Sequence, residues 1–574
     1  MLTKVKGSVW DTDNLYTPSG SGAVARTLQS KFDESVSVKD FGAVGDGVTD
    51  DTAAFNAVIA YLNSVGTNGA YTGDGFKIHI PRGEYYLPTG LDVITVDGVH
   101  WVGDGRDATV IYGEAGSIFN FGDGSIFVES GSVEEMSFVV KSGTTPEAST
   151  LRVCSLQHCT RMTLQALKII RFPKLVQGDA FSGKALTNLY INDIVGQQYN
   201  GGVPLIGITV ASTAIVGAGL YLNNMRVNLD DVDFPPEQDG TVLHTALVGS
   251  DVIRLIGGTW DTIIASNCIF NRYYRGIAFE ATTSGTGITN TYWSDFVIDL
   301  TNTPIELYAN GGNISKFIWT HGWLNGTDGN TVSLKRSSGF FNSIVIKDTD
   351  FLNAGLSNVL VENGCQNVQL VGNRFYSSGR LQLISGTPTK TSPSIDVGSD
   401  CDGFVCKDNE WIYGFAYYGA NPPSGVVHNL PTYAYDPAIA IDLASIAMSF
   451  SITGNSTRAV TTHYGGAGLT ASNLFVTGNT EPRSLRDNKC SDNAVPEYLG
   501  FSSAALPGSG SGNPVTNLSG CPMEVFITGG TITNIVVNGQ SLGTTTPCFF
   551  TLNHGESFYV SYSVAPTVRR RLIN

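Results

Sequence analysis

The chain has 574 residues, of which 42% are hydrophobic and only 15% are charged, and its formal net charge at pH 7 is −16. This acidic balance disfavours a role in binding nucleic acid, because a phosphate backbone is bound by basic protein surfaces. No segment has the length and apolar character of a secretory signal or a membrane span, so we expect synthesis in a cytoplasm and no membrane insertion.

The first 33 residues differ in composition from the rest of the chain. They are polar and interrupted by glycine, and a short helix is predicted in the stretch SGAVARTLQSKFDE. Such a composition is typical of a disordered tail. We therefore treat residues 1–33 as a separate leader.

A turn-rich stretch followed by an amphipathic helix is predicted from Ser37 to Leu62. Asp51 and Thr52 supply the chemistry of an N-cap and a first helical turn. The apolar stripe of this helix consists of Phe55, Val58, Ile59 and Leu62. We expect structural rather than catalytic roles for the acids of this stretch, Asp46, Asp50 and Asp51.

Three motifs occur in order in this region: VKDFGAVGDGVTDDTAAF from Val38, IHIPRGEYYL from Ile78 and VHWVGDGRDATVIYG from Val99. Together they resemble the beginning of the pectate-lyase-like right-handed β-helix found in phage tailspike depolymerases. The resemblance implies an all-β chain folded as a right-handed parallel β-helix, a homotrimer located in the virion and made in the host cytoplasm. It also implies a bacterial capsular polysaccharide or O-antigen as the substrate, a leader that joins a phage tail or another spike, and no cofactor.

Short apolar alternations of strand length, closed by Gly, Asn and Asp, continue from Gly69 onward. Members of one apolar column are mostly 24 to 31 residues apart, with three larger gaps. This spacing suits one coil of a parallel β-helix per repeat. The column consists of Phe138, Leu164, Ile191, Leu222, Ile264, Tyr292, Ile318, Ile346, Leu370, Cys406, Ile452 and Val476.

A turn-forming residue follows several members of this column by three positions. Asparagine and aspartate tolerate the left-handed backbone conformation that a sharp corner requires. The predicted corner residues are Asn267, Asp295, Asn373, Asn455 and Asn479.

The β-helix is predicted to occupy residues 34–500, with the helix from Thr52 to Leu62 covering its first coil. Residues 501–515 contain SSAALPGSGSGNP, which has the composition of a flexible linker. Residues 516–574 alternate apolar and polar positions between hairpin-like turns, which predicts a small β-sandwich-like module. We expect this module either to stabilise a trimer or to bind a sugar.

Residues that follow the column by one position are expected to face outward, because side chains alternate along a strand. On this basis Trp293 and Trp319 lie side by side on the outer surface. Indole rings suit the apolar faces of sugars, and a pair of exposed rings is unfavourable in water without a partner. We interpret the pair either as a sugar-binding platform or as a contact with another subunit.

Glycosidic hydrolysis generally needs one protonated carboxylic acid and one ionised carboxylate. The segments GIAFE, PIELY, TVSLK and NVLVE align, which places Glu280, Tyr308, Lys335 and Glu362 in one outward column. Another acid, Glu237, lies on the proline-containing loop LDDVDFPPEQDG. The predicted catalytic candidates are Glu237, Glu280, Asp295 and Glu306.

A lyase instead needs basic residues to neutralise a uronate carboxylate and a base to remove the adjacent proton. The segment NRYYRG and a histidine two coils further on offer these groups. With the two tryptophans, the predicted substrate-binding residues are therefore Arg272, Tyr273, Tyr274, Arg275 and His321.

No metal site is predicted. The pairs Cys154 with Cys159 and Cys401 with Cys406 lack the usual spacing of zinc ligands, and an odd total of nine cysteines argues against a disulfide framework. We expect these four cysteines to be buried thiols. The acidic loop around Glu237 offers oxygen ligands for calcium but no recognisable ligand pattern.

The favoured interpretation is a depolymerase that hydrolyses a polysaccharide with a pair of carboxyl groups. One alternative is a polysaccharide lyase that acts by β-elimination on a capsule containing uronate. Another is an adhesin that binds the polysaccharide without cleaving it. The sequence leaves all three open.

Overall fold

The chain is nearly all β, and its described residues fall into two compact units, Met1–Asp230 and Asp231–Asn574. The predicted fold class, a parallel β-helix with an N-terminal helix and a small C-terminal β module, is confirmed. The computed structural model describes residues 15–32, 36–68, 75–141, 143–180, 186–210, 219–230, 246–282, 287–352, 354–376, 378, 392–411, 439–443, 450–457, 462–465, 483–486, 489–490, 515–517, 522–543, 547–553, 555–564 and 566–572.

The described part of the first unit contains three helical segments and a series of strands. The helices are Leu28–Phe32, the 3₁₀ turn Val38–Phe41 and Thr52–Val65. The strands are Leu15–Tyr16, Arg26–Thr27, Val36–Ser37, Asp46–Asp50, Phe76–Ile80, Gly83–Leu87, Val93–Ile94, Val99–Gly103, Thr109–Gly113, Ser117–Phe121, Val128–Glu129, Ser132–Val139, Arg152–Gln157, Cys159–Phe172, Val176–Ala180, Leu186–Gln198, Ile206–Val210 and Leu220–Leu229. The short helix predicted in the leader is confirmed.

The described part of the second unit consists of strands. Those of the coils are Asp251–Ile256, Trp260–Asn271, Arg275–Ala281, Gly287–Thr301, Thr303–Thr320, Trp323–Gly326, Val332–Lys347, Asp350–Leu352, Val359–Val361, Cys365–Val371, Arg374–Phe375, Ile395–Val397, Phe404–Lys407, Glu410–Trp411, Ile439–Leu443, Phe450–Thr453, Ser456–Thr457, Thr462–Gly465, Arg483–Arg486 and Lys489–Cys490. Those of the C-terminal module are Val515–Thr516, Met523–Thr528, Thr531–Val537, Gln540–Gly543, Cys548–Leu552, Ser557–Val564 and Thr567–Leu572.

The coils of the first unit stack in parallel with matching apolar positions. Val133 pairs with Leu164, Leu164 with Ile191, and Ile191 with Leu222, and all four side chains are buried. The predicted column is therefore confirmed from Leu164 to Leu222. The first predicted member, Phe138, is wrong. Phe138 pairs with Ile169, whereas the residue that pairs with Leu164 is Val133, five positions earlier.

The helix Thr52–Val65 covers the first coils, as predicted. Its buried Phe55 stacks on Trp101 and meets the edge of Tyr85, with ring centroids 6.0 and 5.7 Å apart. The predicted N-cap role of the Asp51 side chain is wrong, because it makes no hydrogen bond to the first turn of the helix. The two acids hold other backbone groups. The carboxylate of Asp51 accepts hydrogen bonds from the N–H groups of residues 44 and 45 at 2.6 and 3.2 Å, and Asp50 accepts from the N–H of residue 52 at 2.9 Å.

In the second unit the buried column runs one residue later than predicted over three coils. Ala265, Trp293 and Trp319 are aligned and buried. The predicted members at these coils are wrong, because Ile264 and Tyr292 are each 44% exposed and Ile318 is half-buried. The later members are confirmed by pairing and burial, namely Ile346, Leu370, Cys406 and Ile452; Val476 lies outside the described residues.

Two predicted corner residues, Asn267 and Asp295, are confirmed by left-handed φ values of 53° and 57°. Corresponding corners of the next two coils are occupied by His321 and Asp348, with φ values of 53° and 52°. The predicted corner Asn479 lies outside the described residues.

The assignment of Asn373 and Asn455 as corners is wrong. Left-handed φ values belong instead to the preceding Gly372 and Gly454. The asparagines form a buried ladder in which Oδ1 of Asn409 accepts from the backbone N and Nδ2 of Asn373 at 2.9 and 3.0 Å. Oδ1 of Asn455 accepts from the same two groups of Asn409 at 2.9 and 3.0 Å. These amides satisfy buried backbone groups rather than supply a turn conformation.

The C-terminal module is formed by two antiparallel sheets. One contains Val515–Thr516, Ser557–Val564, Thr531–Val537 and Gln540–Gly543, and the other contains Cys548–Leu552, Met523–Thr528 and Thr567–Leu572. Their shared core consists of Met523, Val525, Ile527, Ile532, Ile535, Leu552, Phe558, Val560 and Val568. The predicted sandwich is confirmed; the linker before it lies almost wholly outside the described residues.

The four cysteines that were predicted to be buried thiols are buried and unbonded to one another. Burial raises the pKa of Cys159 to about 12, so its thiol stays protonated at neutral pH. In the part of the chain that is described, no helix is long and apolar enough to span a bilayer.

Candidate functional site

Trp293 and Trp319 face the interior of the coil. Their side chains are 2% and 0% exposed, and their ring centroids are 6.2 Å apart in a stacked arrangement. The prediction that they form an outer surface is wrong, because the column was placed one residue too early and such a shift moves every side chain to the opposite face. Tyr292 occupies the outward position instead. The two indoles therefore pack the core and cannot contact a bound sugar.

The outward column predicted from the aligned segments is confirmed for Glu280, Tyr308 and Lys335. Glu280 pairs with Tyr308, and Tyr308 pairs with Lys335. All three side chains are half-buried, and Oε1 of Glu280 accepts from Nδ2 of Asn310 at 3.0 Å. Glu306 lies on the next outward row of the same sheet, since it is two residues before Tyr308.

Arg275 forms ion pairs with two acids, Asp251 and Glu306. Its Nε and Nη2 donate to Oδ1 and Oδ2 of Asp251 at 2.9 and 2.8 Å, and its Nη1 donates to Oε1 of Glu306 at 2.5 Å. Lys335 donates from Nζ to Oε2 of Glu306 at 2.6 Å. Asp251 is fully buried, and both of its carboxylate oxygens accept hydrogen bonds from the guanidinium of Arg275. We call Asp251, Arg275, Glu306 and Lys335 the charge ladder; its signs alternate and its formal charges cancel.

The charge ladder keeps Glu306 ionised. Burial alone would raise the pKa of this carboxyl group, but the hydrogen bond from Lys335 and the charge of Arg275 outweigh burial and lower the pKa below its ordinary value of 4.5. A general acid must instead hold its proton near neutral pH. Glu306 is therefore unsuited to donating a proton, whereas its ionised form suits a base, a nucleophile or a structural ion pair.

Asp295 and His321 lie at equivalent corners of adjacent coils. Asp295 is exposed, and the side chain of His321 is 62% exposed. Nε2 of His321 is 4.0 Å from Oδ2 of Asp348, which is too long for a hydrogen bond. The structure thus brings two of the predicted site residues near one another on an open surface.

The segment NRYYRG is less accessible than predicted. Tyr273 is fully buried, and burial raises its pKa well above 10. The prediction that Tyr273 contacts substrate is wrong, because an inaccessible phenol of this kind cannot remove a proton from a sugar. Tyr274 is half-buried beside Arg275, whose guanidinium carbon is 5.9 Å from the ring centroid. Arg272 occupies a left-handed position with φ of 77°.

Glu237 lies outside the described residues, as does the loop from Asp231 to Gly240. Asp230, just before that loop, is described, and its Oδ2 is 3.2 Å from Nε of Arg171. Across the described ranges, no group of three or more His, Cys, Asp and Glu side chains could hold a metal ion.

Two aspartates that the sequence interpretation passed over lie on adjacent strands. Asp396 pairs with Asp442 in the parallel ladder, and both are half-buried between inward neighbours. Burial and the charge of Asp442 raise the pKa of Asp396, and burial raises the pKa of Asp442. We call these residues the aspartate pair. A sequence signal existed, because IDV at 395–397 and IDL at 441–443 continue the aligned segments by two further coils.

The aspartate pair and Glu306 share one outward row. Pairing runs from Glu306 to Ser333, from Ser333 to Leu360, and from Leu360 to Asp396. With about 4.8 Å between neighbouring strands, Glu306 is roughly 14 Å from Asp396 along the row. The two groups of acids therefore cannot act on the same glycosidic bond.

Comparisons with known proteins agree with the motifs at the N-terminus. Residues 35–278 match the family model described as rhamnogalacturonase A/epimerase, pectate lyase-like. The chain is 43% identical over 79 residues to mannuronan C5-epimerase AlgE2 and 39% identical over 79 residues to alginate lyase 7, both from Azotobacter vinelandii. These matches cover 13% of this chain and only 7% and 8% of the relatives.

A solved structure with a similar fold is tailspike protein 3 of bacteriophage CBA120. Its TM-score is 0.49 at 14% identity, and the match covers 88% of this chain and 70% of that one. The family model, the parallel coils and the three motifs agree with one another. The pectate-lyase-like resemblance of the sequence is therefore confirmed, and residues 35–278 carry the signature of that family.

Proposed function

We propose that this chain binds and depolymerises a bacterial capsular polysaccharide or O-antigen, as a homotrimeric tailspike in a phage virion. The proposal is supported by the pectate-lyase-like match over residues 35–278 and by the parallel β-helix. The leader of residues 1–33 joins the spike to the phage tail or to another spike.

The proposed reaction is glycosidic hydrolysis, and the observation that carries it is the alignment of Asp396 with Asp442. Strands in a sheet are about 4.8 Å apart, close to the roughly 5–5.5 Å between the carboxyl groups of retaining glycosidases. Two adjacent acids that both resist ionisation share protons as a pair. At a pH between the two titration steps, one donates a proton to the leaving oxygen and the other attacks as a carboxylate.

The acids chosen from the sequence remain proposals with narrower roles. Glu306, held ionised by its cations, is proposed to orient Arg275 and Lys335 towards the substrate. Glu280 is proposed to accept a hydrogen bond from a sugar hydroxyl, because it already accepts one from Asn310 and is half-buried. Asp295 and Glu237 stay candidates for contacts at the edge of the binding surface.

A second candidate is elimination from a uronate-containing polysaccharide. It is favoured by the short matches to proteins named mannuronan C5-epimerase and alginate lyase. In this reaction Lys335 and the half-buried Arg275 neutralise the uronate carboxylate, and His321 removes the adjacent proton.

The experiment that tests the proposal is incubation of the full chain with a panel of purified bacterial capsular polysaccharides. Hydrolysis releases reducing ends and lowers viscosity without new ultraviolet absorbance. A parallel rise in the absorbance of an unsaturated uronate contradicts hydrolysis and supports elimination. Retention of the chain on a polysaccharide that stays intact identifies a binding-only adhesin.

A further inference from the structure

An outward row of apolar side chains crosses four successive coils of the second unit. Ile264 pairs with Tyr292, and Tyr292 pairs with Ile318. Ile318 then pairs with Val345, and the row turns polar at the next coil, where Gln369 follows. Ile264 and Tyr292 are each 44% exposed, and the other two apolar members are half-buried. We call these four apolar residues the apolar ridge; with about 4.8 Å between neighbouring strands it is roughly 14 Å long.

The strands that carry the apolar ridge are apolar on both sides. The three-residue segments centred on its members are IIA at 263–265, TYW at 291–293, FIW at 317–319 and IVI at 344–346. Their last residues, which include Trp293 and Trp319, are buried in the core of the coil. Strands that are covered on both faces show such continuous apolar runs, whereas strands with one face in water alternate apolar and polar residues. The outward side of these coils therefore has the composition of a covered surface.

Charges of both signs surround the apolar ridge and nearly cancel. The ionised residues within three positions of a ridge member are two lysines and three aspartates, namely Asp261, Asp295, Lys316, Lys347 and Asp348. The whole chain has a net charge of −16, so two copies repel one another at long range. Association of two copies is least opposed where an uncharged surface has a rim of mixed sign. An apolar centre within a polar rim is also the usual composition of a contact between subunits.

We propose that the apolar ridge is the centre of a contact with the ridge of a second copy of this chain. The inference rests on the proposed homotrimer and names the surface at which its copies meet. Because the ridge follows the stacking direction of the coils, a rotation axis parallel to that direction brings the same row of each copy together. Three of the four members are β-branched aliphatic residues, which pack well against one another and lack the flat ring face that suits a sugar. These side chains favour a protein partner over a glycan.

The test is sedimentation velocity of the full chain over a range of concentrations, and wild-type protein is expected to sediment as a trimer. Tyr292→Glu and Tyr292→Lys are each expected to raise the dissociation constant about tenfold or more, because like charges meet at the apolar centre. An equimolar mixture of the two variants is expected to recover part of the association, which misfolded chains could not do. Phe340→Glu is the matched control, because Phe340 is a 42% exposed ring that pairs with Asn313 in another row.

Several outcomes overturn the inference. A trimer that persists in both Tyr292 variants, or that dissociates equally in Phe340→Glu, shows that the copies do not meet at the apolar ridge, while the proposed homotrimer stands. A wild-type monomer at every concentration overturns the ridge contact and the homotrimer together. Loss of retention on a polysaccharide by Tyr292→Glu, with the trimer unchanged, shows that the ridge contacts a glycan instead. Cleavage by the wild-type chain is measured separately, so a failure of the proposed hydrolysis is distinguished from a failure of the ridge contact.

Discussion

Two groups of acids lie on one outward row of the coil, and their surroundings shift their pKa values in opposite directions. In the charge ladder, Glu306 lies between Arg275 and Lys335 and its pKa is lowered. In the aspartate pair, three strands further on, the neighbour of each acid in the row is the other acid and both pKa values are raised. The same outward row thus holds one acid whose pKa is lowered and two acids whose pKa values are raised.

This difference indicates a structural role for the charge ladder and a catalytic role for the aspartate pair. A buried acid that is matched by cations contributes to folding, and loss of one partner leaves an uncompensated charge. An acid that faces another acid destabilises the fold slightly, and such pairs are retained where a proton has to move. We therefore expect substitutions in the two groups to affect different measurements.

The largest effect is expected from Asp396→Asn and Asp442→Asn. Each variant removes one of the two carboxyl groups, and loss of general acid or base catalysis lowers rates by about 10²–10⁴-fold. The measurement is the initial rate of reducing-end release from the polysaccharide that wild-type protein cleaves, with thermal unfolding as a check of the fold.

Asp107→Asn serves as the control for these variants. Its carboxylate is 86% exposed and contacts only the surface Lys168 among the described residues, so activity should be unchanged. Wild-type rates in both Asp396→Asn and Asp442→Asn would exclude the aspartate pair as the catalytic site.

The second largest effect is expected on stability, from Arg275→Met. The substitution leaves Asp251 buried without its bidentate partner, which costs about 3–5 kcal/mol of the free energy of unfolding. Urea denaturation followed by tryptophan fluorescence measures the change, because Trp293 and Trp319 are buried in the same unit.

A matched control for Arg275→Met is Arg374→Met. Arg374 makes an equivalent bidentate contact with Asp350 at 2.6 and 2.7 Å, but its side chain is 53% exposed. The side chain of its partner Asp350 is 14% exposed, whereas that of Asp251 is 0% exposed, so Arg374→Met is expected to cost less than Arg275→Met, about 1–2 kcal/mol. Equal losses in the two arginine variants would contradict the conclusion that burial makes the charge ladder structurally important.

A smaller effect is expected on the pH dependence of stability, with opposite signs in the two groups. The folded pKa of Glu306 lies below 4.5, so its contribution is present above about pH 4.5 and is lost as pH falls through the folded value. The folded pKa values of Asp396 and Asp442 lie above 3.8, so their contribution is present below about pH 3.8 and is lost as pH rises through the folded values.

Thermal unfolding between about pH 3 and pH 7 tests this sign difference. In Glu306→Gln, the free energy of unfolding should fall less steeply than in wild type as the pH is lowered. In the double variant Asp396→Asn with Asp442→Asn, the free energy of unfolding at pH 7 should rise by about 1 kcal/mol or less. The same curve for both variants would show that the two groups of acids do not differ in their electrostatic surroundings.

Local chemistry made part of this structure predictable from the sequence. The helix position and its apolar stripe could be predicted, but the capping residue could not: Asp50 accepts from the N–H of Thr52, whereas Asp51 holds the N–H groups of residues 44 and 45. Aligned segments also located Glu280, Tyr308 and Lys335 on one column, because each follows an apolar residue that faces inward.

Two features could not be predicted from the sequence: which of two adjacent apolar residues faces inward, and which charged residues far apart in the chain form ion pairs. Tyr292 and Trp293 are both aromatic, so alternation could not decide which faces inward, and one wrong choice reversed the surface over three coils. Arg275 meets acids 24 and 31 residues away, and their charges are visible in the sequence only after the coils are correctly stacked. The IDV and IDL segments at 395–397 and 441–443 follow the same pattern, but longer insertions separate them from the four aligned segments and obscure the repeat.

The smallest effect is expected from Asp295→Asn. This variant tests an acid in a third environment, an exposed corner, in addition to the charge ladder and the aspartate pair. Asp295 is exposed at a corner with φ of 57°, and asparagine adopts this left-handed conformation as readily as aspartate. The free energy of unfolding should therefore stay within about 0.5 kcal/mol of wild type, and cleavage should continue at a rate within about threefold. Asp295→Ala controls for the backbone, since alanine lacks the polar side chain that favours this corner and should lower stability while leaving cleavage intact. Loss of cleavage in Asp295→Asn, with stability unchanged, would move the site from the aspartate pair to the corner that Asp295 shares with His321.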